Sequence, residues 1–369
     1  MKQITLLKLA LILVFLFAGR AQADPRQEIA FPDLPDARTL KCDFHNHTVF
    51  SDGLVWPTVR VAEAWRQGLD AIAVTDHLDY QPHAKDVATD RNRSYELMVK
   101  PAAEQDILLV HGGEMTHDTP PGHHNALFIT DGNLLTSKDI YAQFDAAGEQ
   151  KAFVFWNHPD WEGVERGKWG EVQQKEFDKK QLHGIEICNG PHYDAQAHKT
   201  ALERRLTLVG NSDCHEPIPE LKTSTKDHRT LTLVFAKERT LEALREALFA
   251  GRTAVWCESK LYGGEKELTP LFAACVRIAP PFHEEGDKRW VRVENRCELE
   301  IVLDRVGKDG PGKITLPPLA TTVVRFDMPA EKLKDGLPYR VTNFVVAPDK
   351  GLEVKLMIPP AAAAPEAKP

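Results

Sequence analysis

Short apolar runs alternate with helical stretches through most of the chain, from Leu40 to Trp256. Eight of the runs are rich in branched or aromatic residues, which favours buried strands over helices. These runs are Thr39–Phe44, Ala71–Thr75, Ile107–Gly112, Asn125–Thr130, Ala152–Trp156, Gly184–Cys188, Leu206–Gly210 and Leu231–Phe235. Helical periodicity and end signals predict helices over Pro57–Gln67, Ala195–Arg205 and Leu241–Leu248. Strands that alternate with helices indicate a parallel sheet, and this many units favours a closed α/β barrel.

The pattern changes after about Trp256. Apolar residues then alternate with charged ones, as in Val291 and Val293, and turns rich in Gly, Pro and Asp divide the runs. This pattern is typical of a small antiparallel β-sandwich. We therefore predict a barrel domain over residues 38–256 and an all-β, sandwich-like domain over residues 257–358. Residues 359–369 are mostly Pro and Ala, a composition that predicts a disordered tail.

The first residues have the features of a secretory signal. Lys2 and Lys8 precede an apolar run from Leu9 to Ala18, and the small-residue sequence Ala21–Ala23 follows. We predict a signal peptide over residues 1–23, export across the inner membrane and a periplasmic location. The apolar run is short for a bilayer span, so no membrane span is expected after cleavage. Cleavage removes three cations and no acidic residue, which changes the formal net charge from −8 to −11.

Composition narrows the class of protein. Apolar residues make up 42% of the chain and charged residues 27%, as in soluble globular proteins. The net charge of −8 and the lack of a basic block argue against a nucleic-acid partner. The six cysteines are scattered, so free buried thiols are expected, and Cys275–Cys297 is the pair to test for a disulfide. Fourteen of the fifteen histidines lie between His45 and His228, which places the chemistry in the first domain.

Histidines and carboxylates follow the ends of the predicted strands. The segments are His45-Asn46-His47, Ser51-Asp52-Gly53, Thr75-Asp76-His77, Gly113-Glu114-Met115, Gly122-His123-His124, Asn157-His158-Pro159 and Ser212-Asp213-Cys214-His215. Because the carboxyl ends of parallel strands form one rim of a barrel, we expect these side chains to converge there. The two imidazoles of His45 and His47 share a face, since side chains two apart on a strand point the same way. Donor atoms of this kind suit Zn, Mn or Fe.

This ordered set of motifs resembles the PHP (polymerase and histidinol phosphatase) superfamily over about residues 38–256. The resemblance implies a distorted seven-stranded β/α barrel that binds two or three divalent metal ions and hydrolyses phosphoesters. The signal sequence and the β-rich C-terminal module resemble the exported phosphoesterase-type members of the superfamily.

The resemblance also implies nine metal ligands. The first metal would take His45, His47 and Asp213, with Glu114 as a bridge; the second would also take His123 and His158; the third would take Asp52, His77 and His215. Glu114 and Asp213 would act in catalysis through the hydroxide that the metals hold. Two alternatives stay open: His124 could replace its neighbour His123, and Asp52 could orient a ligand instead of binding a metal.

Together these features predict an exported metal-dependent phosphoesterase, in which a metal-bridging hydroxide attacks the phosphorus of a small phosphate ester. Diesters are slightly favoured over monoesters, because no pair of arginines accompanies the rim motifs. A metal-dependent amide or carboxylic-ester hydrolase is one alternative. A protein that binds the cell envelope through the β module is another. The sequence leaves the oligomeric state open.

Several other residues near the motifs receive no committed role. His83, Arg91, Arg93 and His192 follow rim motifs and could contact phosphate or protonate a leaving group, but each is expected to be an ordinary surface residue. Three tryptophans flank His158 in the sequence and could wall a pocket, although core packing is the expected role. They are Trp156, Trp161 and Trp169.

Overall fold

The computed structural model describes residues 25–218 and 228–361. The predicted signal peptide and residues 362–369 of the predicted tail lie outside the described residues. Strands of the first part are β1 (Arg38–Asp43), β2 (Ala71–Val74), β3 (Leu108–Met115), β4 (His124–Leu127), β5 (Phe153–Trp156), β6 (Gly184–Asn189), β7 (His192–Tyr193), β8 (Thr207–Asn211) and β9 (Leu231–Ala236). Its helices are α1 (Pro57–Arg66), α2 (Arg93–Glu104), α3 (Ile140–Glu149), α4 (Glu171–Asp178), α5 (Ala195–Arg204) and α6 (Leu241–Phe249), with a 3₁₀ turn at Gly132–Leu135. Within the described ranges, no helix has both the length and the apolar character needed to cross a bilayer.

The predicted β/α barrel is confirmed. Strands β1, β2 and β3 are parallel neighbours, and so are β5, β6 and β8. Strand β4 lies between the two groups and completes the seven barrel strands. The end of β8 returns to the first strand and its neighbour: the Gly210 amide donates to Oγ1 of Thr232 at 3.0 Å, and the His47 amide donates to the Cys214 carbonyl at 3.1 Å. These bonds bring the last parallel strand beside the first.

Two strands depart from the parallel arrangement that the alternation predicts. Strand β4 is antiparallel to both β3 and β5, and β9 is antiparallel to β1. Only residues 116–123 connect β3 to β4, which is too short for the helical crossover that parallel neighbours need. The antiparallel β4 is one source of the barrel's distortion.

The barrel strands are buried on both faces, as their continuous apolar runs predict. Every residue of β2, β5 and β9 is buried. Outside the barrel, α1 begins with Pro57, which suits the first helical turn because its missing N–H is not needed there. The helix packs Val61 and Ala64 onto the sheet. Because both faces are filled, the space for a site is at the ends of the strands.

The second part of the chain is mostly β-structure. Its elements are β10 (Thr253–Cys257), β11 (Lys260–Gly263), α7 (Glu265–Cys275), β12 (Val276–Ile278), β13 (His283–Glu285), β14 (Lys288–Asn295), β15 (Ile301–Arg305), β16 (Lys313–Leu316), β17 (Thr321–Asp327), α8 (Ala330–Leu333), β18 (Leu337–Ala347) and β19 (Lys350–Leu356). One sheet contains β12, β13, β14 and β17, and the other contains β15, β16, β18 and β19. Alternate residues such as Val291, Val293, Tyr339 and Val341 are buried in the shared core, which agrees with the predicted all-β domain.

Backbone hydrogen bonds cross the predicted boundary at residue 257. Strand β10 pairs with β9 of the barrel, and β11 pairs with β10. On its other edge β11 runs parallel to β18 of the all-β part. One sheet of the β domain is therefore continuous with the sheet of the barrel.

All six cysteines are free thiols, and five of them are buried. The thiols of Cys275 and Cys297 contact one another next to the β12–β14 pair. This contact and burial raise the pKa of Cys275 well above its ordinary value. No disulfide joins Cys275 and Cys297 in this structure, which agrees with the free buried thiols expected from the sequence.

Candidate metal centre

All nine predicted ligand residues meet at the carboxyl-terminal end of the barrel strands. Their donor atoms form four overlapping clusters, each with all donors within 4.8 Å of one another. The clusters are His45, His47 and Glu114; His45, His158 and Asp213; His77, Glu114 and His123; and His47, Asp52, His77 and His215. The geometry therefore brings together side chains from seven separate segments of the sequence.

Two carboxylates lie at the middle of these clusters and share the same imidazoles. Oδ1 of Asp213 lies 3.2 Å from Nε2 of His45 and 3.0 Å from Nε2 of His47. Oε2 of Glu114 lies 3.5 Å and 3.3 Å from the same two nitrogens. It also lies 2.9 Å from Nδ1 of His77. Carboxylates placed in this way could serve two neighbouring metal ions.

The other oxygen of Glu114 faces a second pair of imidazoles. Oε1 lies 2.9 Å from Nδ1 of His123 and 3.8 Å from Nε2 of His158. The Asn157 amide also donates to Oε1, at 2.8 Å. Glu114 is thus the residue that joins two halves of the centre. Nε2 of His158 lies equally close to Asp213, at 3.8 Å from Oδ2. The sequence prediction assigned His158 and Asp213 to different metals, whereas the structure places His158 near both carboxylates.

Asp52 belongs to the same centre. Its Oδ1 lies 3.2 Å from Nε2 of His215 and 3.5 Å from Nε2 of His77. Nδ1 of His47 is 3.8 Å away. This position allows either role predicted for Asp52, as a metal ligand or as a group that orients the imidazoles around it.

The neighbouring His123 and His124 face opposite ways. The ring of His124 packs between Phe144 and Trp156, and its Nδ1 lies 3.2 Å from the Gly122 carbonyl oxygen. Burial lowers the pKa of His124 to about 3. Because successive side chains of an extended segment point to opposite sides, only His123 faces Glu114.

Unpaired buried atoms test whether the centre fits a metal. Five ligand atoms are buried and make no hydrogen bond of acceptable geometry to the described residues, although they lie close to one another: Nε2 of His45, Nε2 of His47, Oδ1 of Asp52, Oε2 of Glu114 and Oδ1 of Asp213. Leaving a buried polar group unpaired costs about 1–3 kcal/mol. Atoms that bind one tetrahedral ion at about 2.1 Å lie roughly 3.4 Å from one another, close to the separations found here. These residues fit divalent metal ions.

The electrostatics of the centre also favour a cation. Burial raises the pKa of Glu114, but the imidazoles of His77 and His45 outweigh it and hold that pKa well below its usual range. Burial lowers the pKa of His77, yet the carboxylates of Glu114 and Asp52 raise it to about 10. Without a metal, this negative charge favours the protonated forms of His45 and His77. A divalent cation could displace these protons, since ligands bind metals in their deprotonated form.

Glu186 is a functional residue that the sequence analysis missed. Its Oε1 lies 3.3 Å from Nδ1 of His45 and accepts from the Asn211 amide at 2.8 Å. Its Oε2 accepts from the backbone amide of His158 at 3.0 Å. A carboxylate that holds the second nitrogen of a ligand histidine fixes its tautomer and orientation. The available signal was an acidic residue inside the apolar run Gly184–Cys188.

Asp76 orients the first ligand loop. Its Oδ1 accepts from the Thr48 amide at 2.6 Å and from the Ser51 hydroxyl at 2.9 Å. The Ser51 hydroxyl in turn lies 3.3 Å from Nδ1 of His47. The Thr75-Asp76-His77 motif thus supplies a ligand and a support for the neighbouring strand.

Arg60, on helix α1, holds the two ligand loops together from behind. It donates to the carbonyl of His47 at 2.9 Å and to the carbonyls of Cys214 and His215 at 2.8 Å. Its charge is paired with Glu63 at 2.8 Å, and both side chains are buried. The planar guanidinium suits this task, because it can bond several acceptors at once.

Two of the nine residues have strained backbones. The φ angle is +25° at His158 and +50° at Asp213, in the left-handed region that residues other than glycine rarely adopt. Strain of this kind persists where the surroundings enforce it, and it is frequent at functional sites.

The three tryptophans differ in their positions. Trp156 is core, as expected, and Trp169 packs against it with the Arg204 guanidinium over its ring. Trp161 is 73% exposed, with its ring centre 5.9 Å from that of His158. The prediction of core packing is therefore wrong for Trp161. Its loop places it at the solvent-facing opening of the metal centre, which we call the mouth.

The four residues without a committed role also differ in their positions. Arg93 pairs with Glu96 at the helix surface. His192 pairs with Asp160 at 2.7 Å, in a loop close to the centre. Among the described residues, no hydrogen bond or ion pair joins His83, Arg91 or Arg93 to the nine predicted ligands.

Comparison with known proteins identifies relatives of both parts of the chain. An Ig-like domain family matches residues 276–357. A crystal structure of a two-domain protein from Bacteroides vulgatus, described as containing a predicted PHP-like metal-dependent phosphoesterase, is 42% identical. That match covers 90% of this chain and 99% of the other, with a TM-score of 0.85.

Two further matches are more limited. A candidate metal-dependent phosphoesterase from Bifidobacterium adolescentis is 15% identical over 57% of this chain and 96% of its own, with a TM-score of 0.41. An uncharacterised protein of Methanocaldococcus jannaschii is 37% identical over 81 residues, which is 22% of this chain. This chain matches only 36% of the length of that relative.

The agreement with the Bacteroides vulgatus protein extends over nearly the full length of both chains, in sequence and in fold. The nine predicted ligands lie together at the open end of the shared barrel. The chain belongs to the PHP superfamily, in a two-domain form that ends in an Ig-like domain.

Proposed function

We propose that this protein is a metal-dependent phosphoesterase that hydrolyses small phosphate esters. The observation that carries the proposal is the group of five unpaired buried donor atoms within the nine-residue centre. The name of the Bacteroides vulgatus relative, which refers to a predicted metal-dependent phosphoesterase, supports the same reaction.

The centre has enough donors for two or three divalent ions, for which Mn, Zn and Fe are the chemically suitable metals. The ligands would be His45, His47, Asp52, His77, Glu114, His123, His158, Asp213 and His215. When bound, divalent ions would make water acidic enough to attack phosphorus at neutral pH and would neutralise charge on the phosphate oxygens.

The protein's own groups prepare this centre in two ways. Glu114 and Asp213 supply negative charge to both halves. Glu186 and Asp76 fix the orientation of the ligand loops through the hydrogen bonds described above. A buried, fully bonded support of this kind reduces the reorganisation needed during the reaction.

The cations behind the ligands support a preference for diesters. Arg60 directs its donors to backbone carbonyls and to Glu63, and Arg229 binds Asp43 at 2.9 Å. Both side chains are buried behind the ligand loops. A monoester carries more negative charge than a diester and gains more from cationic side chains at the mouth. We therefore propose that diesters are the better substrates.

We also propose that the protein is exported and acts in the periplasm, on the strength of the signal-like sequence Leu9–Ala23. The test is the mass of the protein recovered from a periplasmic fraction. A chain that begins at Asp24 supports export. A full-length chain confined to the cytoplasm contradicts it.

The activity test compares p-nitrophenyl phosphate with bis(p-nitrophenyl) phosphate, using residues 24–369 loaded with Mn. We expect hydrolysis of both reporters, with the diester faster. The variants Asp213→Asn and Glu114→Gln keep the size of each side chain, so they should fold while losing at least 100-fold in turnover. His283→Gln is the matched control, because His283 is an exposed residue of β13.

Each outcome is decisive for the proposal. Turnover that survives in folded Asp213→Asn protein, or in protein stripped of metal, contradicts it. So does silence on both reporters in protein with bound metal. Hydrolysis of carboxylic esters or amides by that same sample would identify the alternative reaction.

A further inference from the structure

The carboxylate of Asp160 and the imidazole of His192 form a hydrogen-bonded pair beside the metal centre. Oδ2 of Asp160 lies 2.7 Å from Nε2 of His192. The Asp160 side chain is 13% exposed, whereas that of His192 is 63% exposed. Within the described ranges, no hydrogen-bond partner is found for the second ring nitrogen of His192, Nδ1. The pair thus combines a largely buried carboxylate with an imidazole that solvent and ligands can reach.

The barrel topology places this pair at the mouth of the centre. Strand β6 lies between β5 and β8 and is parallel to both. His158 and Asp160 follow β5, Asp213 follows β8, and the hairpin that carries His192 follows β6. The pair therefore belongs to the same rim as two of the predicted ligands. Asp160 shares the segment of His158, and His192 is on the hairpin between that segment and the one that carries Asp213.

The register of the hairpin fixes the direction of the His192 side chain. Asn189 and His192 are directly opposite each other in the antiparallel pair of β6 and β7. Directly opposite residues place their side chains on the same face of a sheet. The Asn189 amide donates to Oδ2 of Asp213 at 3.1 Å. His192 is consequently on the face of the hairpin that looks toward Asp213.

We propose that His192 is the general acid that protonates the leaving oxygen of the substrate, and that Asp160 is the residue that positions its imidazole. This inference rests on the proposed function. It adds to that function a substrate class, namely esters of poorly acidic alcohols, whose leaving oxygen needs a proton in order to depart.

Protonation by His192 accompanies the cleavage of the ester bond. The oxygen of a water molecule forms a bond to phosphorus, and one proton of that water passes to solvent. The bond between phosphorus and the ester oxygen breaks, and its electron pair stays on the ester oxygen. That oxygen takes the proton from Nδ1 of His192 and leaves as an alcohol. The neutral imidazole, still bonded through Nε2 to Asp160, regains a proton from solvent.

The dependence on leaving group distinguishes this role from a surface ion pair. We would compare esters of p-nitrophenol, phenol and ethanol, in the mono- or diester form that the wild type hydrolyses faster. A general acid contributes about 10²–10⁴-fold where the leaving group is poor and little where it is a good anion. We expect His192→Gln to lose less than about 3-fold on the nitrophenyl ester and at least about 100-fold on the ethyl ester. Asp160→Asn should show the same trend with smaller losses.

Two measurements besides turnover keep the test specific. Metal content and the affinity for inorganic phosphate, measured by calorimetry, should be unchanged in His192→Gln, because the general acid contacts the departing alcohol. His283→Gln should behave as wild type on all three esters. Equal losses on all three esters, no loss on any, or loss of metal or phosphate binding would overturn the inference. A wild-type protein that holds metal and is silent on every ester overturns the proposed function as well.

Discussion

The carboxylate of Glu186 lies 3.3 Å from Nδ1 of His45, while Asp213 lies 3.2 Å from the other nitrogen of the same ring. One imidazole is therefore held between two acids, and all three side chains are at least largely buried. Burial opposes a charge on His45, but Asp213, Glu114 and Glu186 raise its pKa well above the ordinary value. The acid behind the ring orients it, and the acids in front share it with the metal centre.

We predict that Glu186→Gln weakens metal binding without unfolding the protein. The amide keeps the size of the side chain but loses the negative charge that orients His45, and such changes cost about 10–100-fold in metal affinity. Competition with a fluorescent chelator would measure the affinity. Glu176→Gln is a suitable control, because Glu176 is also buried but lies on helix α4. Equal affinities in wild type and Glu186→Gln would contradict the proposed role.

A second prediction concerns Arg60. In Arg60→Lys the charge opposite Glu63 is retained, but a single ammonium cannot reach the carbonyls of His47, Cys214 and His215 together. Buried carbonyls left unpaired should lower the free energy of unfolding by about 1–3 kcal/mol. Chemical denaturation measures this loss, and metal release should become faster as the two loops separate. A variant as stable as wild type would show that the carbonyls find other partners.

Stability should fall in mildly acidic solution because of His198. This residue is fully buried in α5, where burial lowers its pKa to about 4. Its unfolded form takes up a proton near pH 6.5, so between about pH 6.5 and pH 4 only the unfolded state is protonated. Stability from this residue is complete above pH 6.5 and is lost as pH falls toward 4.

The size of this effect is measurable by denaturation at pH 7 and pH 5. Linkage predicts that wild type loses roughly 2 kcal/mol through His198 over that interval. His198→Gln should be less stable at pH 7, since Tyr193 contacts Nδ1 of His198 at 2.9 Å, but it should lose about 2 kcal/mol less on acidification. Parallel losses in both proteins would contradict the assignment to this residue.

Trp161 should affect the binding of aromatic esters. Its ring is 73% exposed beside His158, and a stacked aromatic pair contributes about 0.5–1.5 kcal/mol. We expect Trp161→Ala to raise the KM of an aryl ester by about 2–10-fold and to leave that of an ethyl ester unchanged. Trp161→Phe should retain most of the binding. The same rise in KM for both esters would argue against stacking.

Much of the barrel and of its centre could be predicted from the sequence, for physical reasons. The apolar runs mark buried strands, and polar residues directly after them must lie at one rim. These two features predict that His45, Glu114 and Asp213 lie close together. Their metal ligation stays a prediction, although their unpaired atoms fit it.

Other features of the site depend on tertiary contacts, and the sequence pattern gives little indication of them. Glu186 is one acid inside a buried strand, and its partner His45 lies 141 residues away. Arginine is usually found at the protein surface, yet Arg60 on helix α1 points inward and is buried behind the ligand loops. The choice between His123 and His124 depended on where β4 begins, which a doublet of identical residues cannot indicate.

Continuous strand pairing from β9 through β10 and β11 to β18 joins the two domains into one sheet. We therefore expect the two domains to unfold together. Removing residues 257–369 would leave β10 with an apolar edge that has lost its partner, and such edges promote aggregation. The Ig-like domain is therefore not an independent unit that could be exchanged without disturbing the barrel. Heating should melt barrel and Ig-like domain in a single calorimetric transition, and natural variation in one should be constrained by the other.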